Sequence, residues 1–154
     1  MDTPKLNVKK IVEIWDWIEF KAGTEGLPAW MQTTWVTDAV EEHWAWMDHK
    51  LGGQAAAYEE EYCGTGCCVA GFATLDVTDT KTREMIPGKK VYNVEGESMT
   101  ITRSMRGNFQ DYAAFVLGLT LWEAGRLFDG DNTKDDIRRI LNKILENRGE
   151  AIRL

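Results

Sequence analysis

Several features that mark common protein classes are scarce in this sequence. The 154 residues include two histidines, three prolines and three cysteines. No apolar run approaches the roughly 20 residues that a membrane helix needs, and residues 1–10 lack the charged and then apolar layout of a signal peptide. The odd cysteine count, confined to positions 63–68, differs from the even, spread framework of secreted disulfide proteins. We therefore expect a cytoplasmic protein with no membrane partner.

Positive charge is also scarce. The chain has 18 Lys and Arg residues against 25 Asp and Glu, for a net charge of −7. Because nucleic-acid binding needs Lys and Arg to neutralise phosphates, we do not expect a nucleic-acid partner. The one basic region is short and central, over residues 80–106. A nucleic-acid contact there is an alternative, although charge at a strand edge more often prevents strand-to-strand association.

Apolar spacing predicts helices in the first half of the chain. Over residues 8–20, apolar side chains recur at three- and four-residue steps, with Asn7 as the expected N-cap. A second stripe, which begins after Thr37 and ends at Leu51, predicts another capped helix. Residues 54–62 favour a helix by their composition.

The last third carries the clearest helix signals. One helix is expected to start at Asn108. The segments Thr120–Glu123 and Thr133–Asp136 have the spacing of capping boxes, in which the two side chains bond each other's backbone N–H groups. Apolar residues then form one stripe over residues 137–145, which predicts a long amphipathic helix at the end of the chain.

The middle of the chain predicts one β-hairpin. Residues 90–94 and 98–102 flank a Glu-Gly-Glu turn. In this hairpin we expect Tyr92 to share a face with Met99 and Ile101.

The predicted fold is a mainly α (α+β), single compact domain over residues 1–154, with about six helices and one β-hairpin. Residues 1–6 are expected to be disordered, and residues 78–90 to form a flexible loop.

The least generic segment is Cys-Gly-Thr-Gly-Cys-Cys-Val-Ala-Gly, residues 63–71. If Thr65 caps a short helix, Cys67 and Cys68 lie in its first turn, where backbone N–H groups and the helix dipole favour a thiolate. Cys63 would then be a resolving partner. This segment, Cys63–Cys68, carries the alternative function, a thiol-dependent enzyme or a redox or metal sensor. Because free cysteines are often simply buried and no catalytic set is assembled, we favour a packing role and lean away from an enzyme.

This segment also carries a resemblance. The residues Cys63, Gly64, Thr65, Cys68, Ala70 and Gly71 match a C-G-T-x-x-C-x-A-G segment, with Cys67 as an extra cysteine. The chain thereby resembles uncharacterised small proteins of actinobacteria and their phages. In those proteins a helix and a tryptophan-containing stretch precede the segment, and a stretch similar to residues 117–133 follows it. The resemblance implies a phage-type origin and implies no activity.

A metal site is a weaker hypothesis. The side chains of His43, His49, Cys63 and Cys68 are of the types that bind zinc. However, the two histidines are six positions apart, which puts them roughly 120° from a common helix face. We therefore expect no metal and no cofactor.

Residues 114–128 match the outline of a helix-turn-helix. In such a motif only Arg126 would be available to contact DNA. Leu121 and Trp122, like Leu127 and Phe128, are predicted to be core residues. A plain helical hairpin is the better interpretation.

Tryptophan is abundant in the first 46 residues, which hold six of the seven. Trp17 and Trp46 each lie two positions beyond a tryptophan on a core stripe, which is roughly 200° round the helix. Either several helices share a thick core, or these side chains are exposed for a partner. The candidate partner-binding residues are Trp17, Trp30, Trp35 and Trp46.

The leading hypothesis is therefore a small cytoplasmic phage-type accessory protein that binds a host protein. It predicts that Trp17→Ala and Trp46→Ala weaken binding without unfolding the chain. The oligomeric state is left open.

Overall fold

The fold mixes helix and strand. The structure, a computed structural model, describes residues 3–22, 29–30, 36–37, 66–79, 84–102 and 108–154. These residues form five α-helices: α1 Val8–Asp16, α2 Val69–Ala73, α3 Asn108–Leu117, α4 Leu121–Leu127 and α5 Lys134–Asn147. They also form seven short strands: β1 Ala29–Trp30, β2 Val36–Thr37, β3 Gly66–Cys67, β4 Thr78–Asp79, β5 Glu84–Met85, β6 Lys90–Tyr92 and β7 Ser98–Thr100. No helix in these ranges is long and apolar enough to cross a membrane.

The first helix begins as predicted. The Asn7 side chain accepts a hydrogen bond from the Lys10 backbone N–H at 3.1 Å, which satisfies one of the free donors of the first turn. After α1 the chain widens into a π-helical turn, Trp17–Lys21, closed by the Ala22 N–H on the Trp17 carbonyl. The predicted second helix and the predicted helix over residues 54–62 lie outside the described residues.

Residues 3–6 belong to the segment predicted to be disordered, and in the structure they contact the helical core and Arg148. Leu6 is buried in the helical core. The Asn7 N–H donates to the Leu117 carbonyl at 2.9 Å, and the Arg148 guanidinium donates to the Pro4 carbonyl at 2.6 Å. Apolar burial and these two hydrogen bonds oppose the chain entropy that favours a loose terminus.

Two clusters of buried side chains hold the elements together. The larger one, the helical core, takes residues from α1 to α5. The smaller one, the hairpin core, lies between α3 and the strands. Its members are Val77, Met85, Val91, Ile101 and Tyr112.

The predicted hairpin is present, but its inward face differs from the prediction. Strands β6 and β7 are antiparallel, with Val91 opposite Met99 and Tyr92 opposite Ser98. Val91 is therefore the buried residue of β6, while Tyr92 is exposed. A shift of one residue reverses which side chains face inward, because the period of a strand is two. Ile101 is buried, as predicted.

The segment predicted as a flexible loop, residues 78–90, instead contains paired strands. β4 and β5 are antiparallel, with Thr78 opposite Met85. Met85 is buried in the hairpin core, and the Thr78 hydroxyl donates to the Thr74 carbonyl at 2.9 Å. The described part of this segment thus has its own packing.

The helices of the last third match their sequence signals. Both predicted capping boxes are formed, at Thr120 with Glu123 and at Thr133 with Asp136. The predicted stripe of α5 faces the helical core: Ile137, Leu141, Ile144 and Leu145 are buried, and Ile140 is half-buried.

Candidate functional site

The cysteine segment does not form the predicted helix start. Gly66 and Cys67 are extended in β3, which pairs in parallel with β1 and antiparallel with β2. The helix begins only at Val69, and its N-cap is Cys68. Because strand pairing fixes the backbone up to Cys67, this residue lies outside the helix, contrary to the prediction that it occupies the first turn. Thr65 lies outside the described residues.

Cys68 has the properties of a packing residue. Its side chain is buried in the helical core, and its sulfur accepts a hydrogen bond from the Gly71 N–H at 3.4 Å. Burial raises the pKa of the Cys68 thiol to about 11, against smaller opposing effects of nearby backbone N–H groups. A reactive cysteine needs a lowered pKa and access to solvent. The side chains of Cys63 and Cys67 lie outside the described residues.

The metal hypothesis gains no support from the described ranges. No three His, Cys, Asp or Glu side chains within them come together as ligands. His43, His49 and Cys63 lie outside those ranges, and Cys68 is enclosed by apolar neighbours of the helical core.

Trp17 is a core residue, so its prediction as a partner-binding residue is wrong. Its side chain is only 1% exposed. Its ring stacks on Phe72 of α2, with the ring centroids 4.3 Å apart. Trp15 is buried as well, because α1 contacts α2, α3 and α5 and is therefore covered around a wide arc. Of the other three predicted partner-binding residues, Trp30 is half-buried against the helical core. Trp35 and Trp46 lie outside the described residues.

The most exposed apolar pair in the described ranges lies at the start of α4. Leu121 is 79% exposed and Trp122 is 66% exposed, which corrects their prediction as core residues. The Arg126 guanidinium lies over the Trp122 ring, 5.0 Å from its centroid, in the geometry of a cation–π contact. We call these three residues the α4 patch.

The opposite face of α4 explains the exposure of Trp122. Ala124, Leu127 and Phe128 are buried in the helical core. Trp122 precedes Ala124 by two positions, which places it roughly 200° round the helix. It must therefore point away from the core when Ala124 points into it. The two-residue spacing between Trp122 and Ala124 is visible in the sequence, so the exposure of Trp122 could have been predicted.

A bidentate ion pair fixes the start of α4. Arg148 donates to both carboxylate oxygens of Glu123, at 2.5 and 3.2 Å, and both side chains are largely buried. Burial alone would raise the pKa of Glu123, but hydrogen bonds from Arg148 and Thr120 outweigh it and lower the pKa below its usual value. Arg148 also donates to the Gly118 carbonyl at 2.9 Å. These hydrogen bonds thus fix the start of α4, where the α4 patch lies.

Next to the α4 patch, α5, the loop before it and Arg126 of α4 line an open polar groove of about 980 Å³. Arg126, Ile140 and Lys143 line both this groove and a shallow cleft beside Trp122. Within the cleft the charged side chains are Arg126, Lys143 and the already neutralised Glu123. The cleft beside Trp122 therefore has a net positive lining, whereas the adjoining groove balances four acidic side chains against four basic ones.

Comparison with profiles of known protein families, with curated proteins and with solved structures finds no match for this chain.

Proposed function

We propose that this chain is a small cytoplasmic phage-type accessory protein that binds a host protein through the α4 patch. One observation carries the proposal: Leu121 and Trp122 are neighbouring large apolar side chains, and both are mostly exposed. Exposed tryptophan next to arginine is typical of the few residues that supply most of the energy of a protein interface. Isolated exposed apolar residues need no such explanation.

The charges around the patch indicate the chemistry of the partner. Arg126 and Lys143 flank Trp122, and the buried Glu123 is paired with Arg148. A partner surface with an apolar side chain beside Asp or Glu would fit this arrangement. We therefore propose an acidic partner segment with an apolar anchor.

The rigidity of α4 supports a binding role. The capping box and the Arg148 ion pair hold the helix start in one geometry before any partner arrives. Less conformational entropy is then lost on association than from a flexible loop. The proposal includes the predicted single, mainly α domain of about six helices; five α-helices lie within the described ranges.

The alternative of a thiol-dependent enzyme or sensor is less well supported. Its mechanism requires an accessible thiolate, and Cys68 is buried with a raised pKa. The resemblance on which the phage-type origin depends supplies no reaction.

The test is affinity capture from an actinobacterial lysate with three immobilised proteins: the wild type, Trp122→Ala and Tyr92→Ala. Tyr92 is a matched control because it is an exposed aromatic residue on a different element. We expect one stoichiometric partner on the wild type and on Tyr92→Ala, and its loss on Trp122→Ala.

Three outcomes would contradict the proposal. The first is that no stoichiometric partner is recovered. The second is that Trp122→Ala retains the partner as well as the wild type does. The third is that the captured species is this chain itself, which would assign the α4 patch to self-association. Sedimentation of the purified wild type distinguishes this last case.

A further inference from the structure

A second concave surface lies on another part of the molecule. It is a groove of about 570 Å³ between α1, α2, α3 and β6. None of its lining residues belongs to the α4 patch. Its lining residues are Lys10, Phe72, Ala73, Leu75, Asp76, Lys90, Val91, Tyr92 and Val116. The volume is in the range of sites that hold one small molecule.

The floor of the groove is apolar and rigidly placed. Phe72 contacts α1 and the π-helical turn that follows it, since the Lys10 ammonium lies 5.1 Å from the centroid of its ring and the ring stacks on Trp17. Trp17 is buried in the helical core, so this stacked pair connects the floor of the groove to that core. Val91 is buried in the hairpin core, so the β6 side of the groove is anchored as well.

The rim is aromatic and predominantly basic. Tyr92 is 58% exposed and is one of the residues that line the groove. Lys10 from α1 and Lys90 from β6 contribute positive charge from two different elements, and Asp76 contributes one negative charge. Lys10 also lies 3.6 Å from Glu13, but an ammonium group has three donors and can bind a second anion.

We infer that this groove binds a small planar aromatic anion, with the ring on the floor beside Tyr92 and the anionic group at Lys10 and Lys90. The apolar floor favours a flat hydrocarbon body, and the two lysines favour an anion over a neutral or cationic compound of the same shape. The site is independent of the proposed protein partner, because it shares no residue with the α4 patch.

The experiment compares naphthalene sulfonate with naphthalene sulfonamide, a neutral compound of nearly the same shape, by NMR titration of the full chain. We expect the sulfonate to bind about tenfold more tightly, because each exposed charge pair contributes up to a few-fold. Lys10→Met and Lys90→Met keep the apolar stem and remove the charge. Each should weaken sulfonate binding by about threefold and leave sulfonamide binding unchanged.

Two matched controls locate the site. Lys9→Met removes a neighbouring lysine that does not line the groove, and Trp122→Ala removes the main apolar residue of the α4 patch. Both should bind the sulfonate like the wild type. The inference is overturned if neither compound binds at millimolar concentration, if both bind equally, or if Lys10→Met and Lys9→Met bind alike. Circular dichroism of each variant verifies that it is folded.

Discussion

Replacing Gly118 by alanine would test how the N-terminal segment packs on the turn between α3 and α4. Gly118 has a φ of +72°, a conformation that residues with a Cβ rarely adopt. An added Cβ would lie 2.0 Å from the Lys5 carbonyl oxygen, far inside van der Waals contact. Either the turn or residues 3–6 must therefore move.

The size of the effect follows from what that movement breaks. The left-handed conformation costs an alanine about 1–2 kcal/mol. Displacing the N-terminal segment would also expose Leu6, at about 1.5–3 kcal/mol, and strain the bond between the Arg148 guanidinium and the Pro4 carbonyl. We expect a loss of about 3–5 kcal/mol in the free energy of unfolding, which lowers the Tm by roughly 10 °C for a chain of this size.

The assay is urea and thermal unfolding followed by circular dichroism, with Gly125→Ala as the matched control. Gly125 lies inside α4, and an added Cβ there meets nothing within 4 Å. This control should gain about 0.5–1 kcal/mol from the better helix propensity of alanine. Equal stabilities of Gly118→Ala and the wild type would refute the close packing of residues 3–6 against the turn.

Three further predictions concern buried groups. Arg148→Met leaves the Glu123 carboxylate buried without its cation and should cost about 3–5 kcal/mol at neutral pH. The folded-state pKa of Glu123 is lowered, so the stability that its carboxylate contributes is present above about pH 4.3 and is lost as the pH falls through the folded pKa. The difference in unfolding free energy between the wild type and Arg148→Met, measured in urea, should therefore be smaller at pH 3 than at pH 7. In urea, Trp17→Ala should lower the free energy of unfolding by about 3–5 kcal/mol, whereas Trp122→Ala should stay within about 0.5 kcal/mol of the wild type. Equal losses of stability in the two variants would contradict the burial of Trp17 and the exposure of Trp122. Cys68 should resist iodoacetamide in the folded protein at pH 7.5 and react in urea, as peptide mass mapping would reveal, and modification in the folded state would contradict its burial.

Features that depend on neighbouring residues were predictable from the sequence. Asn7 caps α1, and Thr120 and Thr133 form capping boxes, because each of these bonds spans only three residues. The buried stripe of α5 followed from spacing alone, since one face of that helix meets the core and the other meets solvent.

Features that depend on distant segments were not predictable in the same way. Helical spacing put Trp17 on the opposite side of α1 from Trp15, but three other helices contact α1 and both rings are buried. The same spacing rule, applied to α4, would have placed Trp122 outside, because that helix buries only the face of Ala124 and Leu127. Helical spacing predicts which side chains are exposed only where a single face of the helix is covered by other elements.

Strand pairing explains the other two differences. The cysteine segment does not start a helix at the predicted position, because Gly66 and Cys67 pair with β1 and β2. These two strands lie about thirty or more residues earlier in the chain. In the hairpin, the register places Tyr92 opposite Ser98, so Val91 and not Tyr92 is the residue of β6 that faces the core. Both differences depend on which strands pair and in which register, and the local spacing of residues does not specify either.

The measurement that tests the central claim most directly is the affinity of the captured partner for the wild type and for Trp122→Ala, by isothermal titration calorimetry. If the α4 patch is the binding surface, loss of the central aromatic ring should cost about 2 kcal/mol or more, which raises Kd about 30-fold. The variant should remain as stable as the wild type in urea. An unchanged Kd for a folded Trp122→Ala would contradict the account and move the interface to another surface.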